Sequence, residues 1–172
     1  TAHNNLGSTL LALGQVDAAV ESYEKALAIN PDYAEAHNNL GIALHRLGKI
    51  DAAVESYEKA LAVNPDYAEA HNNLGNAFKG LGQLDTAVKS FEKALAVNPD
   101  YSNAHNNLGI IFKELGQLDA AVESYKKALA VNSDYVEAHN NLGNAFKELG
   151  QLDAAVESYK KALALRPDYA YA

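Results

Sequence analysis

Apolar residues recur along this chain in helical stripes. Between Ala34 and Leu47 they fall at Ala36, Leu40, Ala43, Leu44 and Leu47, a spacing of i, i+4, i+7, i+8 and i+11. That spacing gathers them on one face of a helix, here called helix A. Gly48-Lys49 breaks the pattern. A second stripe, helix B, follows at Ile50, Ala53, Val54, Tyr57, Ala60, Leu61 and Val63. Asp51 is the expected N-cap of helix B, its side chain able to accept from an orphan backbone N–H. Asn64-Pro65-Asp66 ends the helix, because proline lacks an N–H and restrains the residue before it. Neither helix can bury its stripe alone. Stacking A on B, and each pair on the next, buries both.

The pattern repeats every 34 residues, a period that marks a solenoid. The copies run Thr1–Asp32, Tyr33–Asp66, Tyr67–Asp100, Tyr101–Asp134 and Tyr135–Asp168, with a stub of a sixth at Tyr169–Ala172. The last two full copies differ at only a few places, such as Ile110 against Asn144, so duplication alone could have multiplied a residue without function. Gly41 falls inside helix A, where glycine costs about 1 kcal/mol relative to alanine. Close helix approach, with Tyr57 filling the space beside it, is the expected reason.

These positions resemble the tetratricopeptide repeat, whose pattern runs Trp-x2-Leu-Gly-x2-Tyr, Ala-x3-Phe, Ala, Pro. The second copy has His37, Leu40, Gly41, Leu44, Gly48, Ala53, Tyr57, Ala60 and Pro65 there. The third has His71, Leu74, Gly75, Phe78, Gly82, Ala87, Phe91, Ala94 and Pro99. The resemblance covers essentially the whole chain. It departs from the pattern at the histidines, which replace a large aromatic, and at Ser133, which replaces proline and is expected to loosen one turn. The resemblance implies one all-α solenoid array over residues 1–172, wound as a right-handed superhelix with helices A lining a concave groove. It also implies that the groove binds an extended peptide or a segment of a partner protein. The wording of the repeats is similar to those of the O-linked N-acetylglucosamine transferase type. That likeness implies an asparagine ladder along the groove at Asn5, Asn39, Asn73, Asn107 and Asn141.

A helical wheel reaches the same face independently. Opposite the apolar stripe lie Glu35, Asn38, Asn39, Ile42, His45 and Arg46 in the second copy. The third has Glu69, Asn72, Asn73, Asn76 and Lys79, and the fifth has Glu137, Asn140, Asn141, Asn144, Lys147 and Glu148. A carboxamide donates and accepts, so it can pair with a peptide N–H and C=O together. The expected peptide-binding residues are the five ladder asparagines, with Asn38, Asn72, Asn106 and Asn140 beside them, Asn76 and Asn144, and the recurring Lys79, Lys113 and Lys147. The second asparagine of each pair is the better placed to touch peptide backbone. Glu and Asn occupy the early helix positions where some family members carry a basic clamp for a C-terminal carboxylate, so a mixed or neutral peptide is expected instead.

Composition narrows the alternatives. With 22 acidic and 14 basic residues the formal charge is −8, and no basic block exists to hold a phosphate backbone, so nucleic acid is not an expected partner. No apolar run approaches a membrane span. Cysteine is absent, which removes disulfides and thiolate chemistry. The histidines at 3, 37, 71, 105 and 139 sit on helices expected about 8–10 Å apart, too far for a shared zinc with bonds of about 2.0–2.1 Å. No metal or other cofactor is expected. No nucleophile elbow or phosphate loop is present. The recurring serines at 22, 56, 90, 124 and 158 are expected on helix B surfaces. The chain opens on Thr1 without a methionine, as a fragment or a processed protein would. Three readings follow: a non-enzymatic interaction module, a self-assembling array whose uncapped ends stack head to tail, and a substrate-presenting arm of a glycosyltransferase-like enzyme.

Overall fold

The computed structural model describes residues Thr1–Asp168; the sixth-copy stub at 169–172 lies outside the described residues. The chain divides into two compact units. Unit 1, Thr1–Val97, holds α1 (Ala2–Ala12), α2 (Val16–Ile29), α3 (Ala34–Arg46), α4 (Ile50–Val63), α5 (Ala68–Gly80) and α6 (Leu84–Val97). Unit 2, Asn98–Ala172, holds α7 (Ser102–Glu114), α8 (Leu118–Val131), α9 (Val136–Glu148) and α10 (Leu152–Leu165). There is no strand among the described residues. Odd-numbered helices are the A helices and even-numbered ones the B helices. Each unit is an α-solenoid in which an A helix packs on its own B helix and that B helix on the next A helix.

The cores sit at those junctions. In unit 1, Ala53 and Tyr57 of α4 are clustered with Leu74 and Ala77 of α5. In unit 2, Ala121, Val122 and Tyr125 of α8 are clustered with Leu142, Ala145 and Phe146 of α9 and Ala155 of α10.

Helix A ends in a Schellman turn. After α3 the N–H of Lys49 donates to Leu44 O and that of Gly48 to His45 O, both at 3.0 Å. This geometry needs a left-handed residue, and Gly48 supplies it at φ 74°. The expected cap at Asp51 is corrected: the N-cap of α4 is Lys49, with no side-chain bond, and Asp51 lies in the first turn. There its charge complements the helix dipole rather than capping a single N–H.

Two further expectations change. Ser56, Ser90, Ser124 and Ser158 are buried, not on the surface. Each hydroxyl donates to the carbonyl four residues back, at 2.9–3.0 Å. The turn at Ser133 keeps the bonds of its proline-bearing counterparts. Asp134 N donates to Asn132 Oδ1 at 3.2 Å, and Ser133 O faces His139 Nε2 at 2.9 Å.

Candidate functional site on the A helices

The histidines explain how α3, α5, α7 and α9 are held at their starts. Nε2 of His37, His71 and His105 lies 2.8–2.9 Å from the carbonyl of Pro31, Pro65 and Pro99. A carbonyl only accepts, so Nε2 carries the proton and donates. The histidine thus ties the helix to the turn before it.

The asparagine pairs divide into two roles. The first of each pair is buried: Asn4, Asn38, Asn72, Asn106 and Asn140 are at most 8% exposed. Asn38 Nδ2 donates to the Tyr67 hydroxyl at 3.4 Å. Asn4 Nδ2 donates to Tyr33 Oη and to Glu35 Oε1, at 3.3 and 3.0 Å. In three pairs the second asparagine reaches back one copy. Nδ2 of Asn39, Asn73 and Asn141 donates to Oδ1 of Asn4, Asn38 and Asn106 at 3.0–3.1 Å. The ladder is therefore knitted within the protein, and the first asparagine offers a partner no surface. The half-buried second asparagines keep their own Oδ1 and one N–H. Asn107 is half-buried at the same position, and Asn5 is exposed at the N-terminal end.

Two cavities open beside these amides. In unit 1 a cavity of about 420 Å³ is lined by Ile42, His45, Arg46, Tyr57, Asn73, Asn76, Lys79 and Gly80. Asn76 makes no hydrogen bond to another described residue, and the residue fifteen further on is Phe91, which has no hydroxyl to offer. Asn144, at the same position in the fifth copy, is instead engaged by the Tyr159 hydroxyl at 2.8 Å. Lys79 is half-buried and has no ion pair among the described residues. Arg46 reaches Leu11 O at 3.3 Å. In unit 2 the corresponding cavity, about 410 Å³, is lined by Ile110, Lys113, Glu114, Tyr125, Asn141 and Glu148. There Lys113 is paired with Glu148 at 3.1 Å. Lys147 is exposed. The open face of unit 1 thus offers a free ammonium and a free amide, where unit 2 offers an ion pair.

Burial is the main cause that pushes the Tyr57 hydroxyl well above the ordinary tyrosine range, and Glu69 adds to it. Tyr125 is raised the same way, by burial and then by Glu148 and Glu114. Both rings stay neutral and line the floor of the face as apolar surface.

A second pair of grooves lies between successive B helices. One of about 590 Å³ is lined by residues including Leu61, Ala62, His71, Leu74, Lys93 and Ala96. Its counterpart in unit 2, about 750 Å³, includes Leu129, Ala130, His139, Phe146, Lys161 and Ala164. Sequence reasoning did not single these out. The only signal was the recurrence of exposed alanines at 62, 96, 130 and 164.

Family models agree with this architecture across the chain. The model described as TPR repeat matches residues 7–48, 43–82 and 111–150. Two described as tetratricopeptide repeat match 68–101 and 136–169, and 90–123. Among solved structures, the chain is similar to TTC0263, a thermophilic TPR protein in Thermus thermophilus. The two are 32% identical over 98% of this chain and 92% of that one, with a TM-score of 0.79. It is 29% identical to MamA over 95% and 96% of the two chains, with a TM-score of 0.83. YrrB, described as a TPR protein with an unusual peptide-binding site, shares the fold at 22% identity over 97% and 86%, with a TM-score of 0.74. No curated protein matches significantly. With most of its length matched by these models and a solved relative above 30% identity, the chain belongs to the tetratricopeptide repeat family.

Proposed function

We propose that the chain is a non-enzymatic protein–protein interaction module that holds an extended peptide along the open face of its A helices. One observation carries the reading. Asn73, Asn76 and Lys79 line one cavity, where the Asn76 amide and the Lys79 ammonium are engaged by no internal bond and Asn73, bonded to Asn38 through one N–H, keeps its Oδ1 and the other N–H. An extended backbone presents alternating N–H and C=O groups, which a carboxamide can meet as donor and acceptor together. Lys79 then selects for an acidic or carbonyl-rich segment beside that stretch. Asn39, Asn107 and Asn141 would extend the same contact from copy to copy, whereas the buried Asn38, Asn72, Asn106 and Asn140 hold the face in shape. The net charge of −8 disfavours nucleic acid as the occupant.

Selection from a random peptide-display library, followed by titration of the selected peptide, tests this reading. Asn76→Ala should weaken binding about fivefold, the worth of roughly one hydrogen bond. Its melting temperature should not move, because Asn76 supports nothing inside the fold. A parent that selects no peptide, or an Asn76→Ala protein that binds as well as the parent along with Lys79→Ala, would count against it.

A further inference from the structure

The unit 1 cavity on the A helices and its unit 2 counterpart occupy the same place in their repeats but differ in charge. Ile42, Tyr57 and Asn73 of the first match Ile110, Tyr125 and Asn141 of the second. At two positions the charge changes. Arg46 stands where unit 2 has Glu114, and Gly80 where unit 2 has Glu148. In unit 2 Glu148 pairs with Lys113 at 3.1 Å, so that cation is already neutralised. In unit 1 no carboxylate lines the cavity among the described residues, and its charged groups are Arg46 and Lys79, with His45 beside them. A chain of net charge −8 thus keeps, on α3, α4 and α5, a cavity whose ionisable lining is basic apart from the neutral Tyr57.

The same lining supplies hydrogen-bond donors. Arg46 gives one N–H to Leu11 O at 3.3 Å and keeps the others of its fork. Lys79 is half-buried and has no ion pair among the described residues. Asn73 has one N–H left after its bond to Asn38, and Asn76 has both. A carboxylate would answer only one of the two charges and offers two oxygens. A phosphate monoester carries a charge of about −1.5 to −2 and three strong acceptor oxygens. It can therefore engage a guanidinium, an ammonium and the amides together. A volume of about 420 Å³, with open space around Gly80, gives it room.

We infer that this cavity receives a phosphorylated side chain of the peptide held along the A helices. The inference rests on the peptide-binding reading above and adds the specificity of that site. Arg46 binds phosphate oxygens through the N–H groups that Leu11 leaves free, in the charge-assisted geometry that favours arginine for phosphate. Lys79 balances the second charge, and Asn73 and Asn76 donate to the remaining acceptors. Glu114 and Glu148 repel the same group from the unit 2 cavity, so phosphate recognition is confined to unit 1.

Two synthetic peptide libraries test the inference, each with one fixed serine among random neighbours, phosphorylated in one library and unmodified in the other. The phosphopeptide selected on the chain is then titrated beside its unmodified twin. The phosphate should tighten binding about tenfold or more, the worth of a charge-assisted hydrogen bond. Gly80→Glu restores the unit 2 carboxylate in open space and should abolish that preference without lowering the melting temperature. Gly80→Gln, of the same size without the charge, should keep it. Arg46→Gln should abolish the preference while the twin binds as before. Twins that bind the parent equally would overturn the inference and leave the peptide reading standing. So would a preference that survives Gly80→Glu or Arg46→Gln, or a peptide with glutamate at the serine that binds as tightly as the phosphopeptide. If neither library yields a binder, both readings fall.

Discussion

Gly41 lies directly against the ring of Tyr57: a Cβ at Gly41 would stand 2.6 Å from Tyr57 Cε1. The same contact recurs between Gly75 and Phe91, at 2.7 Å. Overpacking of this kind costs about 1–3 kcal/mol, more than the roughly 1 kcal/mol that alanine gains in helix propensity. Gly41→Ala should therefore lower stability. Gly80 has nothing within 4 Å of a Cβ, so Gly80→Ala should raise it by about 0.5 kcal/mol. Urea unfolding of the two variants checks the opposite signs.

The two asparagines of a pair should respond differently to truncation. Asn38→Ala removes the acceptor of Asn73 Nδ2 and a donor to the Tyr67 hydroxyl. Its expected cost is about 1–3 kcal/mol. Asn76→Ala should stay within about 0.5 kcal/mol of the parent, as surface changes do. Thermal melts of both variants read the difference.

That division of labour marks the limit of what could be read from the residues alone. The period, the helix pairs and the glycine–aromatic contact were legible, because each depends on neighbours within one copy. The burial of Asn38 was not. A wheel places Asn38 opposite the stripe facing helix B, but the surface there is covered by the following copy, which a single helix cannot reveal. Ser56 was missed for a related reason, since its back-bond to Ala52 O lets a polar residue enter the packed side of helix B. Asp51 was misplaced by one turn geometry: Lys49 already occupies the cap. The run of amides pointed to the proposed face, whereas the free state of Asn76 goes with Phe91, which lacks the hydroxyl that Tyr159 gives Asn144.

The Ser133 turn predicts a gain. It keeps the hydrogen bonds of the turns that carry proline. Proline there should restrict the unfolded chain without straining the folded one. Ser133→Pro is expected to stabilise by about 0.4–1 kcal/mol. A drop in the unfolding midpoint would show that the turn backbone differs after all.

Alkaline pH should destabilise the fold. Tyr57 and Tyr125 are raised above the ordinary value of 10.0, mainly by burial. Once unfolded they lose their protons near that value, while the folded chain retains them. Their stabilising contribution is complete below pH 10 and falls as pH rises toward the folded values. The slope approaches about 1.4 kcal/mol per pH unit for each ring. Tyr57→Phe should flatten the decline measured by urea unfolding across that range. An unchanged slope would mean that the Tyr57 hydroxyl titrates normally.

The most direct measurement is a nuclear magnetic resonance titration of the side-chain amides with a display-selected peptide. Peptide bound along the A helices predicts shifts at Asn39, Asn73 and Asn76, with Asn38 and Asn106 barely moved because they are buried. Shifts confined to the groove around His71, Leu74 and Ala96 would contradict it, and would place recognition between the B helices instead.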